Sequence, residues 1–280
     1  MSPSFLTRAD LVAQGHTRRS IQSAVRRGTL IHVRRDRYLE PDVPDVLVRA
    51  VRVGGRLTCL SLLQLLGVFV LRNGRLHVHV RPTASRLRSP RDKTRRVAGA
   101  RKRVRVHWTP LVEDRGSECV VSIVDALVHA VLCQAPTAAV ATIDSALNKG
   151  IIMAEDVRRI FVALPARYGV LASFVDGSAE SGPETLVRLM ARRLGCDIRP
   201  QVELEGIGRV DFVLDGWLVV ECDSREFHST WEAQARDRER DLALAARGYC
   251  TLRLTASAIM YRSDEVFTAL SGLVSSRPRA

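Results

Sequence analysis

The chain has almost no lysine: Lys93, Lys102 and Lys149 are the whole complement among 43 basic residues. Any chemistry placed after residue 149 therefore has no side-chain ammonium group to use. The six cysteines (Cys59, Cys119, Cys133, Cys196, Cys222, Cys250) are scattered and form no Cys-x-x-Cys. That spacing argues against a disulfide framework or a zinc knuckle and fits free thiols in a reducing compartment. No charged-then-apolar leader is visible. The longest apolar stretch, 57–71, is shorter than a membrane span and contains Ser61 and Gln64, so it reads as a buried helix. These absences predict a cytoplasmic protein with no membrane partner.

A length of 280 residues allows two or three domains, and 46% hydrophobic with 26% charged residues is ordinary for a globular chain. The net charge of +13 is unevenly spread. Residues 1–179 carry 29 basic and 14 acidic residues, whereas 180–280 carry 14 arginines against 16 acids. A GC-rich codon bias explains arginine over lysine but not this asymmetry. A basic front and a carboxylate-bearing back suit a protein that grips a polyanion with one part and acts on it with another.

Residues 209–228 concentrate the chemistry. Two β-rich apolar runs flank an Asp-Gly turn signal and carry Asp211 in the first and Glu221 and Asp223 in the second. Buried anions repel one another unless a cation joins them, so acids on one sheet face suggest a hard-cation site. Register decides whether they share a face. A two-residue turn at Asp215-Gly216 would pair Asp211 with Val220 and split the acids. A three-residue loop, Leu214-Asp215-Gly216, pairs Asp211 with Val219 and collects them on one side. The metal reading requires an odd-length loop.

The Asp-x9-Glu-x-Asp pattern is followed by Arg-Glu-Phe-His and by Arg-Asp-Arg-Glu-Arg-Asp-Leu-Ala-Leu-Ala-Ala-Arg-Gly-Tyr. Over about residues 180–270 this resembles a Vsr-like (very-short-patch-repair) nuclease domain of the PD-(D/E)XK superfamily. The resemblance implies a restriction-endonuclease-like αβββαβ core and Mg²⁺- or Mn²⁺-dependent phosphodiester cleavage. It implies Asp211 and Glu221 as metal ligands, Asp223 as the second acid and His228 as the histidine after it. Glu184 matches the acid on the preceding helix, and Arg240 and Asp241 fall in the basic-acidic helix. Where the wider superfamily has lysine in (D/E)-x-Lys, this chain has Asp223, and Ser224 stands where a glycine is expected. A general base or charge stabiliser must then be His228, an arginine or metal-bound water, and an imidazole titrates nearest neutral pH.

The N-terminal 44 residues read as a small winged-helix unit. Thr7 and Asp10 suggest a capping box, Thr17 caps a second helix over 18–27, and Gly28 stops it. Two short strands then surround Arg34-Arg35-Asp36, the wing. Arg18, Arg19, Gln22, Arg26, Arg27 and Arg35 are the expected DNA contacts, against the blander reading of a solvated basic face. The layout resembles, more weakly, the N-terminal domain of AbiEi-type antitoxins.

Residues 45–170 read as a mixed middle domain. Within it, 81–105 holds 11 basic residues and one acid, Asp92, and adds Arg95, Arg96, Arg101, Lys102 and Arg103 as phosphate-binding candidates. His77 and His79 alternate on a strand; lacking a nearby acid or cysteine in sequence, they read as solvent-face histidines. Asp125 and His129, at i and i+4, read as a hydrogen-bonded structural pair. Helices over 119–149 and 154–164 are expected to pack together. Residues 166–180 suggest a linker, and a third domain, 176–280, opens at Ser181-Gly-Pro-Glu184. There Glu184 has a rival explanation as the capping-box acid.

The fold class is thus α+β or α/β and multi-domain. The function expected is a metal-dependent DNA endonuclease, nucleoid-associated, with no small-molecule cofactor beyond the divalent metal and with a homodimer among the expected assemblies. The alternative is a DNA-binding, antitoxin-like regulator with an inactive nuclease-derived domain. A third, bland reading is an interaction protein whose acids are surface charges.

Overall fold

The computed structural model describes residues 4–100, 102–223 and 231–276. It is a mixed α+β chain that divides into two compact units, residues 1–135 with 151–172, and 136–150 with 173–280. Residues 1–44 and 45–135 therefore fall in one unit.

The first unit opens with α1 (Arg8–Ala13) and α2 (Arg18–Arg27). Thr7 and Asp10 form a reciprocal capping box, Thr17 and Ser20 form another, and Gly28 closes α2 in the left-handed conformation. Leu11, Ile21 and Leu30 bury the small core that these helices share with Tyr38. Next, β1 (Ile31–Arg34) and β2 (Arg37–Leu39) form an antiparallel hairpin. The backbone N–H of Arg8 donates to Asp36 Oδ1 at 2.7 Å, tying the hairpin turn to the start of α1.

Then come α3 (Asp45–Val53), β3 (Arg56–Leu57) and α4 (Cys59–Leu65). The apolar run expected as one helix over 57–67 starts as a strand because Arg56 and Leu57 pair antiparallel with β4 (Leu76–His79). On its other edge β4 pairs in parallel with β5 (Val104–His107), giving the order β3-β4-β5. Between them a 3₁₀ turn spans Val97–Ala100. Helix α5 (Ile123–Val131) packs on α4.

The chain then enters the second unit for α6 (Pro136–Asn148) and returns for α7 (Ala154–Val162). The packing expected between these helices is seen for α7 on α5, while α6 packs on a later helix, α8 (Gly182–Arg193). The reason is a buried ion pair. Asp144 on α6 accepts from Arg188 of α8 at 2.7 Å and from Thr185 Oγ1 at 3.0 Å. Helix α8 is consequently buried on two sides, along Thr185 and Arg188 as well as Leu186 and Val187.

After α8 the second unit runs β6 (Ile198–Leu204), β7 (Gly208–Leu214), β8 (Leu218–Asp223), α9 (Trp231–Ala246) and β9 (Cys250–Thr255). The sheet order is β6-β7-β8-β9; the first two pairings are antiparallel and β8-β9 is parallel. Helix α9 supplies the crossover that a parallel pair needs. Val213 and Val219 point to the side covered by Leu244 of α9. Helices α10 (Ala256–Tyr261) and α11 (Ser263–Ser276) close the unit. Among the described residues, no helix is long and apolar enough to cross a membrane.

Candidate active site

The hairpin register comes from its loop. Leu214 pairs with Leu218, Val213 with Val219 and Phe212 with Val220. Asp215 (φ 49°) and Gly216 (φ 75°) are both left-handed, and Trp217 N–H donates to Leu214 O at 3.1 Å. The loop is odd-length, Asp215-Gly216-Trp217, one residue further on than either loop drawn from the sequence. Continued, this register sets Asp211 opposite Glu221 rather than Val219. Asp211, Glu221 and Asp223 still alternate onto one face, because a shift of two in register preserves side.

Each acid has a distinct setting. Asp211 reaches across to β8, where Cys222 N–H donates to its Oδ2 at 2.7 Å. Glu221 is buried and lies 3.0 Å from a guanidinium nitrogen of Arg240 on α9, which also donates to Arg209 O. Asp223 is exposed at the end of β8. Glu184 is buried near the start of α8; its Oε2 accepts from Glu180 N–H and from Gln201 Nε2, each at 2.9 Å. Its own N–H is capped by Ser181. The capping reading therefore holds for the serine, but the carboxylate turns to Glu180 and Gln201 instead of closing the box.

These carboxyls feel one another. Burial raises the pKa of Glu184, Asp211 and Glu221 above the ordinary carboxylate range. Asp211 adds to the rise at Glu184 and Glu221, Asp223 adds to it at Asp211 and Glu221, and Arg240 and Arg253 pull Glu221 back down. Three buried polar atoms here, Glu221 Oε1, Gln201 Oε1 and Arg240 Nε, make no hydrogen bond, although Glu221 Oε1 has Arg240 as its ion-pair partner.

Two charges of helix α9 reach the sheet. Arg240 goes to Glu221, and Asp241 holds Arg253 of β9 at 2.9 Å. Arg253 pairs in register with Glu221, so two arginines flank that acid. Arg253 and Gln201 were not picked out from sequence. Gln201 takes a left-handed φ of 49° within β6, between the paired residues Pro200 and Val202. His228 and Ser224 lie outside the described residues.

Arg18, Arg19, Gln22, Arg26 and Arg27 are all exposed on α2, and Arg35 is exposed at the hairpin turn. Arg95, Arg96, Lys102 and Arg103 are exposed as well; Arg101 lies outside the described residues. Arg95 lies 3.4 Å from Asp92. A groove of about 1010 Å³ in this unit is lined by Arg34, Arg35, Arg37, Arg56 and Arg81 among others.

Two expectations for the first unit are overturned. His77 and His79 are not on a solvent face; both are buried, 5% and 4% exposed, because α4 and α5 cover that side of the β3-β4-β5 sheet. Asp125 and His129 do not bond to each other. Asp125 accepts from Val112 N–H at 2.6 Å and from Ser122 Oγ at 2.8 Å, while His129 Nδ1 meets Thr58 Oγ1 at 2.8 Å. Burial, then the charges of His107 and His79, pushes the His129 pKa down to about 3. Among the described residues, the one group whose ligand atoms all lie within 4.8 Å of one another is Cys59, His77, His107 and Cys133. That donor set could hold a metal ion and is not of the kind that suits Mg²⁺.

Comparison of this chain with protein-family models, with curated proteins and with solved structures found no match in any of the three.

Proposed function

We propose that the protein is a divalent-metal-dependent DNA endonuclease. Its reaction centre lies on the β7-β8 face, and its DNA is held by the basic first unit. One observation carries the reading: Glu184, Asp211 and Glu221 are partly buried carboxyls on neighbouring elements, and the charge of Asp211 or of Asp223 beside them raises the pKa of each. Three of these acids are partly withdrawn from water and repelled by a neighbouring acid, a condition a divalent ion relieves. Mg²⁺ or Mn²⁺ on Asp211 and Glu221 would supply Lewis-acid polarisation of a phosphoryl oxygen. Glu184, held by Gln201, adds negative charge beside them, and Arg240 and Arg253 offer the fixed positive charge that lysine provides elsewhere in the resembling superfamily. The helix–strand–strand–strand–helix–strand order of α8 to β9 supports the same reading.

One contact favours a second reading, a DNA-binding regulator without turnover. Glu221 is already paired with Arg240, so a side-chain cation stands beside the acid that a metal needs. Plasmid incubation with Mg²⁺ or Mn²⁺ separates the two. Nicking by the wild type that is absent from Asp211→Ala/Glu221→Ala supports the enzyme. DNA binding with no cleavage under either metal leaves the regulator.

The DNA-holding role has its own signature in salt. If the four arginines of α2 each neutralise a phosphate, the slope of log K against log salt is about −3.6, and each Arg→Ala removes about 0.9. Fluorescence anisotropy with Arg18→Ala and Arg26→Ala measures this. A slope unchanged in both variants would remove α2 from the interface.

A further inference from the structure

We propose that Cys59, His77, His107 and Cys133 form a closed, tetrahedral site for a structural zinc ion in the first unit. Their four ligand atoms all lie within 4.8 Å of one another, and three of the four residues are buried. His77 Nδ1 and His107 Nε2 are 3.1 Å apart, and Cys133 Sγ is 4.0 Å from His107 Nε2. Tetrahedral zinc with ordinary bond lengths sets its ligands about 3.3 Å apart for two nitrogens and about 3.6 Å for nitrogen and sulfur. These two separations fall within a few tenths of an ångström of those values.

The surroundings fit the ion as well. The ligands come from four separate places: the first residue of α4, strands β4 and β5, and the residue after the C-cap of α5. Cys59 takes a left-handed φ of 53° with its side chain buried, a conformation that a β-carbon disfavours. His129 stacks on His107 with ring centres 4.6 Å apart, and it holds Thr58, the N-cap residue of α4, next to Cys59. Supporting contacts of this kind orient metal ligands. A cavity of about 420 Å³, lined by His77 and Cys133, provides an entry path. With two thiols and two imidazoles in tetrahedral array, the donor set selects zinc over magnesium, calcium or manganese. Binding displaces the thiol protons of Cys59 and Cys133 to solvent, and two thiolates balance the 2+ charge, leaving a neutral buried centre. Four protein ligands leave no open position, so the role is structural.

The test uses the full chain, purified under reducing conditions without chelator. Elemental analysis is expected to find one zinc per chain. After chelation, Co²⁺ titration is expected to restore a tetrahedral visible spectrum with a thiolate-to-cobalt charge-transfer band. Cys133→Ser and His107→Ala should lose the ion, while Cys196→Ser and Asp211→Ala/Glu221→Ala should keep it. The last variant separates this site from the acids of the second unit. Wild-type protein that carries no zinc and gives no cobalt band overturns the proposal. So does a Cys59–Cys133 disulfide in the native mass, or zinc retained in the ligand variants. The wild-type spectrum decides the matter even if those variants fail to fold.

Discussion

Asp211→Asn is expected to reduce metal-dependent nicking by more than about 100-fold, since even partners that only orient metal ligands cost 10–100-fold when removed. It is also expected to leave the metal-free protein at least as stable as the wild type. The amide keeps an oxygen that can accept the Cys222 N–H, so the bridge to β8 survives. What disappears is one negative charge beside Glu184, Glu221 and Asp223. Burial first, and then the charges of Glu180 and Asp223, raises the pKa of Asp211; burial first, and then the charge of Asp211, raises Glu184 and Glu221. A folded-state pKa above the unfolded one means that the folded state holds more protons. Metal-free stability therefore falls as pH climbs from the ordinary carboxylate range through the raised values, and divalent metal recovers it at neutral pH. The difference between wild type and Asp211→Asn isolates this effect from Asp176, whose pKa is lowered. Thermal melts across that pH range, with and without Mg²⁺, measure it. A wild-type-minus-variant difference that grows more favourable with rising pH in the absence of metal would contradict the acid cluster.

The second large effect is structural. Asp144→Ala is expected to cost roughly 3–5 kcal/mol, the usual penalty for orphaning one partner of a buried ion pair. Against a total stability of about 5–15 kcal/mol, that is enough to loosen the second unit. Asp144 is fully buried; one oxygen accepts from Arg188 and Thr185, and the other accepts from Asp176 N–H at 2.8 Å. Its pKa is nevertheless raised, because burial outweighs the attraction of Arg188 at 2.7 Å. The pair thus fixes geometry more than it adds stability, and Asp144→Leu/Arg188→Met should recover most of the loss. Urea unfolding of the wild type and these two variants checks this. A single-variant loss below about 1 kcal/mol would show that the pair is not holding α6 to α8.

Local signals in the sequence reached further along the backbone than into the side chains. Caps at Thr7, Thr17 and Ser181, the glycine stop at Gly28 and the alternation of β7 and β8 all act within a few residues, so the elements lie close to where the pattern put them. The shared face of Asp211, Glu221 and Asp223 was legible for the same reason, given an odd-length loop. Its actual register was not, because Trp217 rather than Leu214 joined the loop. Helix α10 and strand β5 carried too few residues for any period to show.

The sequence alone determined the charge division along the chain, the capped helices of the first 30 residues and the two acid-bearing strands. All of these depend on residue type and on neighbours a few positions away. Only the tertiary structure decided which helix α6 joins, which arginines reach Glu221, and that Cys59, His77, His107 and Cys133 meet. Those four are 18, 30 and 26 positions apart in turn, and no local period links them. They converge because β4 pairs in parallel with β5 while α4 and α5 pack over the same sheet face, a set of long-range contacts that no short stretch of chain encodes.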